Sequence, residues 1–389
     1  MRLLHTSDWH FGRSFHGVGM LAAQRRFVDQ LLETVRTEGV DVLLLAGDVY
    51  DRALPGVDVV ALLDETLARL RGAGVEVILT SGNHDSATRL GFGTRLLAHA
   101  GVHLRTRLSD IAAPVLLPLP GGARLAVYGV PYLEPRMASG PLGVDEPGHT
   151  PVTRAAVDLV RADLRARREE SGGALYSVLM AHTFASSGAG SDSERALSLG
   201  GLGMVPLDLF DGFDYTALGH LHGRQQLSPT VRYSGSPLAY SFSEASHTKG
   251  GWLLDFGPGG LEDVRAVDWE AERPLARLRG RLEELLADPL LAGAAESYCQ
   301  VVLTDDERPA HAMERLRTRF RHTLMLGFEP DNAGTDAKQS YSERIGDAAD
   351  QVELCCGFLE HVRDRSANDG EREAIKLALE SVLSAEHSA

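Results

Sequence analysis

Residues 42–51 read VLLLAGDVYD: five apolar residues, then Gly47, Asp48 and, three positions on, Asp51. An unbroken apolar run that gives way at once to glycine and acids reads as a buried strand ending in a polar loop. The same pattern lies on either side of it. Leu3–Thr6 runs into Asp8-Trp9-His10, and Val75–Thr80 runs into Gly82-Asn83-His84-Asp85, with amphipathic segments near 20–37 and 57–72 between the runs. The first 85 residues therefore read β-α-β-α-β, an alternation that favours parallel strands joined by right-handed crossovers.

Two more apolar runs, 177–181 and 215–218, end in His182 and in Gly219-His220-Leu221-His222. A helix is expected near 152–170 and further strands at 124–130, 231–234 and 251–256. The stretches 134–151 and 186–203 are rich in Gly, Pro and Ser and lack apolar periodicity, so they read as long surface loops.

Beyond residue 268 the pattern changes: a charged helical stretch at 272–287, a strand at 298–303, a helix at 309–321 and a strand near 324–328 make a small α/β module. EPDNAGTDAKQSYS, residues 329–342, reads as a polar linker. After it, Ile345, Ala348, Val352, Cys355, Leu359 and Val362 recur at heptad-like spacing, and Ile375, Leu379 and Val382 continue the seam past Asn368-Asp369-Gly370. That is a helical hairpin, whose apolar seam either docks on the chain's own core or offers a groove to a partner's coiled coil. The expected organisation is a catalytic domain at 1–268, a small module at 269–328, the linker at 329–342 and the hairpin at 343–389.

Length suits two or three units, and 43% hydrophobic with 24% charged residues suits a globular chain. No apolar run approaches the roughly 20 residues that span a bilayer, and no signal-peptide layout opens the chain, so a cytoplasmic location is expected. Cys299, Cys355 and Cys356 fit neither a disulfide framework nor a spaced zinc site, and read as reduced bystanders. A net charge of -15 argues against a protein that coats nucleic acid electrostatically. A nucleic-acid substrate would need ions, local basic patches or a partner to supply the attraction.

The chemistry lies in the five polar clusters, all at carboxyl ends of expected strands. In an open α/β sheet those ends share one edge, where ligands bind. Each cluster alone is a weak signal, since an isolated Asp-x-His is more often a turn or a surface pair. Together they offer two carboxylates (Asp8, Asp48), one amide (Asn83) and four imidazoles (His10, His182, His220, His222), more than one ion takes. Two divalent ions follow, with Asp48 as the natural bridge. Oxygen and imidazole donors without thiolate suit manganese or iron, and zinc less exclusively; manganese is the expected ion. Two ions roughly 3.5–4 Å apart support hydrolysis of a phosphoester without a covalent intermediate. His84, next to Asn83, is placed to act as general acid to the leaving alkoxide, a further ligand being the competing role. Asp51 either accepts a hydrogen bond from an imidazole or caps a turn. Gly47, Gly82 and Gly219 suit tight turns where a side chain would block the approach to the metals, or are ordinary turn glycines.

These motifs resemble those of the calcineurin-like metallophosphoesterase superfamily, D-x-H, G-D-x-x-D, G-N-H-[DE], a lone His and G-H-x-H, which occur here in order. More closely, HTSDWHFGR (5–13), LLLAGDVYDRALP (43–55), TSGNHDS (80–86), GHLHGRQ (219–225) and YSGSPLAYSFSEASHTKGG (233–251) resemble the SbcD family of bacterial nuclease subunits. The resemblance implies an α/β fold: a β-sandwich flanked by helices, a small α/β capping domain and a C-terminal helical hairpin. It implies one ion on Asp8, His10, Asp48 and His222, the other on Asp48, Asn83, His182 and His220, and His84 as catalytic histidine. It further implies manganese-dependent 3′ to 5′ exonuclease and endonuclease action on DNA ends and hairpins, at the nucleoid. The implied partners are a second copy, through helices near 57–71 and 87–99, and an SbcC-type ATPase whose coiled coil the hairpin binds. The competing readings are a small-molecule phosphodiesterase or protein phosphatase of the same superfamily, because the motifs specify chemistry and not substrate, and a scaffold without catalysis.

Overall fold

The computed structural model describes residues 1–190, 203–331, 351–363 and 367–386. Two six-stranded sheets form its centre. In the first, Arg2–Thr6, Val42–Ala46, Glu76–Thr80 and Val102–Arg105 run parallel in that order. Gly250–Gly257 pairs antiparallel with Arg2–Thr6, and Gly260–Asp268 closes that edge. In the second, the parallel strands Arg124–Val130, Leu175–His182, Tyr215–Gly219 and Val231–Tyr233 lie side by side. Val115–Pro118 and Gln225–Gln226 pair antiparallel at the two edges.

The strands that carry the motifs are buried along their whole apolar runs, Val42–Ala46 on every residue. Leu3, Leu44, Ala46 and Ile78 of one sheet share a core layer with Val178, Met180, Tyr215 and Ala217 of the other. The outer faces are covered by helices. Leu21–Glu38 buries Phe27, Val28, Leu31 and Val35, and ends where Gly39, at φ 64°, turns left-handed and returns its N–H to Val35 O. Val57–Gly72 covers the same sheet, and His149–Glu170 buries Val152, Ala156, Val160 and Leu164 toward the other. This is the α/β sandwich flanked by helices that the motifs imply.

The small module holds a three-stranded sheet of Leu275–Gly280, Tyr298–Leu303 and Thr323–Phe328. Leu278, Cys299, Val301 and Leu303 are buried with Leu282, Leu285 and Leu316 of its two helices. It packs on the first sheet's helix layer: Tyr298 meets Phe15 at 5.6 Å between ring centroids, and Leu275 and Leu324 join that core.

Several expectations need correction. Residues 272–287 are not one helix: Leu275–Gly280 is a strand and only Leu282–Ala287 is helical. Arg277 and Arg279 face outward around buried Leu278, a period-two pattern that the charges disguise. The stretch 134–151 is not a loop throughout, because Pro135–Leu142 forms a helix with proline in its first turn and left-handed Gly143 at its end. The segment near 87–99 is two short helices, Ala87–Leu90 and Thr94–His99, separated by Gly91-Phe92-Gly93. The 309–321 helix is shorter, Ala312–Arg319. Of the 186–203 stretch, 191–202 lie outside the described residues, as do 332–342 of the linker and Ile345 and Ala348 of the seam.

The chain divides into two compact units, Met1–Leu303 with Pro309–Gly327, and Thr304–Arg308 with Phe328–Ala389. The small module falls in the first except for Thr304–Arg308 and Phe328. In the second, Gln351–Arg363 and Asp369–Glu386 are helices in mutual contact. Cys356 is buried there and Val352, Cys355, Leu359, Ile375 and Leu379 are half-buried, while the side chains of Val362 and Val382 lie outside the description. All three cysteines are free thiols. Among the described residues no helix is long and apolar enough to cross a membrane.

Leu44 is fully buried in the layer between the sheets. Leu44→Ala is expected to cost about 2–5 kcal/mol of unfolding free energy in urea titrations without added metal. Leu290→Ala, at a position 89% exposed, is expected to stay within about 0.5 kcal/mol of the parent.

Candidate metal centre

Asp8, His10, Asp48, Asn83 and His84 follow the first three parallel strands of one sheet, and His182, His220 and His222 sit at or just after two strand ends of the other. The shared core layer brings the two sets of ends together. All are buried except Asn83, which is half-buried.

Asp48 stands at the centre. Its Oδ1 accepts the backbone N–H of His84 at 2.8 Å. Its Oδ2 lies 3.5 Å from His10 Nε2 and 3.4 Å from His182 Nε2. His10 Nε2 is 3.1 Å from His222 Nε2, and His182 Nε2 is 2.9 Å from Asn83 Oδ1. Asp8 accepts the His220 N–H at 3.1 Å and the Ser7 hydroxyl. Three overlapping trios have ligand atoms mutually within 4.8 Å: Asp8, His10 and His222; His10, Asp48 and His84; Asp8, Asp48 and His182. His220 belongs to none of them; its ring stacks edge-on to His182 at 5.5 Å between centroids.

The backbone here is forced. Asp8, His10, Asp48 and His220 have φ of 55°, 45°, 50° and 107°, four of the seven left-handed non-glycine residues among those described. Such conformations cost on the order of 1–3 kcal/mol each and persist only where the surroundings over-determine them. All three motif glycines are demanded by close approach, Gly47 because a methyl group there would fall 2.3 Å from His182 Nδ1. A methyl group at Gly82 would fall 2.2 Å from Asp48 Oδ1, and one at Gly219 would fall 1.8 Å from Ala46 O.

Charges crowd as closely as the backbone. Burial raises Asp8 to a pKa of about 6 in spite of His182 and His222. Burial opposes ionisation of Asp48 as well, yet His182, His10 and His84 hold it well below the usual carboxylate range. His182 is pushed down by burial but raised to about 9 by the Asp48 charge and hydrogen bond, with Asp8 adding to it. Burial lowers His220 to about 3, with His182 adding to the effect, and takes His10 well below its ordinary value.

The donor set fits divalent ions. Carboxylate, amide and imidazole groups, each able to offer a lone pair, converge within a buried volume, a donor set that suits divalent cations. His182 Nδ1 is 2.9 Å from Ala46 O, so when the ring gives up a proton to take an ion, Nδ1 keeps its hydrogen and Nε2 offers the lone pair. His84 Nδ1 is 2.8 Å from the Asp51 carbonyl. The Asp51 carboxylate is farther, 3.6 Å from His10 Nδ1 and 3.7 Å from His84 Nδ1, and also faces Arg13 at 3.8 Å. An imidazole thus hydrogen-bonds to Asp51 through its main chain, with the carboxylate at ion-pair range.

Three contributors had no role assigned from sequence. Asp85 accepts the N–H groups of Val49, Tyr50 and Gly82 at 2.9–3.1 Å, tying two motif loops together. Burial and the Asp48 charge push it up to about 7 against the pull of those three donors. Glu244 and Lys249 form a buried ion pair beside His222. Asp85 fills the acidic position of the G-N-H-[DE] motif, a signal that could have marked it, whereas Glu244 and Lys249 stand in 233–251 with no spacing that distinguishes them from ordinary turn residues.

The fold and the cluster are those of a metallophosphoesterase. The calcineurin-like phosphoesterase family model matches residues 1–224, more than half of the 389, and the chain belongs to that family. A second model, that of the SbcD C-terminal domain, described as the type 5 capsule protein repressor C-terminal domain, matches residues 271–362. The pairing is consistent with an SbcD-type nuclease subunit. Among solved structures, a protein of Thermus thermophilus, TT1561, is 13% identical with a TM-score of 0.38, over 69% of this chain and 98% of that one. A dimetal phosphatase from Danio rerio is 12% identical with a TM-score of 0.42, over 69% and 99%. Likenesses this distant decide nothing about this chain.

Gly82→Ala is expected to lose about 1–3 kcal/mol of stability through overpacking against Asp48 and to weaken divalent-cation uptake in calorimetry. Gly19→Ala, where no atom lies within 4 Å of the added methyl, is the control expected to bind as the parent does.

Proposed function

We propose that this chain is the nuclease subunit of an SbcCD-type DNA repair complex, hydrolysing phosphodiesters of DNA ends and hairpins with two manganese ions. The observation that carries this reading is the SbcD-type C-terminal domain match on the same chain as the phosphoesterase cluster. The cluster supports the phosphoesterase chemistry, and the C-terminal match favours a nuclease subunit over a small-molecule phosphodiesterase of the same family. The proposed organisation is nuclease domain 1–268, capping domain 269–328, linker 329–342 and hairpin 343–389.

One ion would be held by Asp8, His10, Asp48 and His222, the other by Asp48, Asn83, His182 and His220. Once bound, such ions polarise the phosphate and supply a nucleophilic water near neutral pH. The chain's own residues do the rest. The His84 N–H fixes one oxygen of Asp48, so the other stays aimed between His10 and His182. Ala46 O orients His182. His84 Nδ1 is held by Asp51 O, which leaves Nε2 as the position from which a proton passes to the departing 3′ oxygen.

Partners follow from surfaces. Val57, Phe92 and Leu96, on and between the helices at 57–71 and 87–99, are 89%, 85% and 80% exposed, which supports a homodimer through those helices. The hairpin would bind the coiled coil of an SbcC-type ATPase, whose surface would supply much of the attraction for DNA that a chain of charge -15 lacks. Such a complex would act at the nucleoid.

Purified chain with manganese is expected to degrade linear duplex DNA. His84→Ala should lower the rate by about 10²–10⁴-fold with manganese uptake intact in calorimetry. Inactivity on DNA with rapid turnover of a small phosphomonoester would instead favour a small-molecule enzyme. Truncation after Ser340 is expected to leave the nuclease active and abolish co-purification of the ATPase, and retained binding would refute the hairpin's role.

A further inference from the structure

Glu244 and Lys249 lie between the strands Val231–Tyr233 and Gly250–Gly257, with side chains 0% and 5% exposed. Glu244 Oε1 is 3.4 Å from His222 Nδ1 and accepts the Tyr240 N–H at 3.2 Å. Its Oε2 takes the ammonium of Lys249. Lys249 Nζ also donates to His222 O and to Ser236 Oγ, both at 3.0 Å. His222 is thus gripped twice, at its ring by the carboxylate and at its carbonyl by the ammonium.

Fold stability alone does not call for this arrangement. A buried Lys–Glu pair loses hydration that its mutual attraction barely returns, and apolar residues of like volume commonly do as well. What apolar residues cannot do is choose a tautomer. A neutral imidazole carries one N–H, and an acceptor facing Nδ1 places the proton there and leaves the lone pair on Nε2. Nε2 of His222 is the atom that faces His10 Nε2 at 3.1 Å inside the cluster. His182 and His84 meet backbone carbonyls at Nδ1, Ala46 O and Asp51 O. For His222 a side chain stands in that place.

We propose that Glu244, held by Lys249, is a positioning residue that fixes the tautomer and ring orientation of His222 so that its Nε2 is presented to one of the two ions. This rests on the two-ion reading above. The arrangement is the carboxylate–histidine–metal relay whose outer member typically governs metal affinity by about 10–100-fold. Because His222 serves one ion only, the effect is confined to one of two binding steps.

The test is manganese calorimetry on the full chain stripped of metal with a chelator, comparing wild type with Glu244→Ala/Lys249→Met and Glu244→Gln/Lys249→Met. Both variants remove the cation; alanine also removes side-chain volume and the acceptors for the His222 Nδ1–H and the Tyr240 N–H, which glutamine restores. The first is expected to weaken one step by about 10–100-fold and leave the other unchanged, while the second restores the weakened step to near the wild-type value. A general structural lesion would instead weaken both binding steps of the alanine variant and lower its midpoint in urea titrations. A wild type that binds two ions while the alanine variant matches it overturns this role alone. A wild type that takes up one ion overturns the two-ion reading and this role with it. Should the alanine variant fail to fold, ¹⁵N shifts of the histidine rings in metal-free wild type decide: a proton on Nδ1 of His222 supports the proposal, and one on Nε2 overturns it.

Discussion

Asp48 has two carboxylate oxygens, and the arrangement of both sheets answers to what those oxygens face. One is bound by the His84 N–H, and the other stands between His10 and His182. His10 and His84 follow strands of the same sheet as Asp48, but His182 ends a strand of the opposite sheet. The site therefore exists only if two sheets meet with their strand ends aligned. The layer of Leu3, Leu44 and Ile78 against Val178, Met180 and Ala217 enforces that alignment. Apolar packing between the sheets is thus the scaffold of a polar site at their edge.

Holding those groups together is unfavourable in itself. Imidazoles and carboxylates converge in a buried volume, and four of the residues carry left-handed backbone. The surroundings compensate through ties that reach across loops. Asp85 gathers three N–H groups from two loops, and the Gln24 side chain donates to His10 O at 2.8 Å while accepting the Gly12 N–H. The Tyr240 hydroxyl donates to Trp9 O at 2.6 Å. Each of these bonds fixes main chain beside a site residue, so the strain has no local route of release. Gly82 and Gly219 complete the arrangement by letting two loops approach closer than any side chain allows.

This division explains what was legible in the sequence. The motif strands could be read because each is an unbroken apolar run that stops at a polar cluster, and the rule that strand ends share an edge then assembled all eight side chains. Edge strands were harder. Val102–Arg105, Val115–Pro118 and Gly260–Asp268 bury only part of their length, and the outward charges of Gly260–Asp268 blur its period. Leu275–Gly280 is disguised for the same reason: its arginines suit an exposed helix face as well as the outer face of a strand. Glu244 and Lys249 escaped because their roles are three-dimensional. Glu244 is 22 residues from His222, and nothing in that separation marks the two as neighbours.

The charge of the chain and the charge of the site pull in different directions on the proposed reading. A duplex substrate is drawn by arginines and lysines at its phosphates, and a protein of charge -15 repels it at long range. Two divalent ions would offset a small part of that excess, and their field would act mainly within the cluster, since solvent screens exposed charge beyond about 8–10 Å. Strong local attraction at the reacting phosphate thus coexists with weak recruitment from solution. A nuclease built this way works poorly on DNA it must find unaided and well on DNA delivered to it. On that reading, joining a phosphoesterase to a C-terminal segment with an apolar seam would pass the capture of substrate to a partner and leave the chain alone slow, not inactive, on duplex.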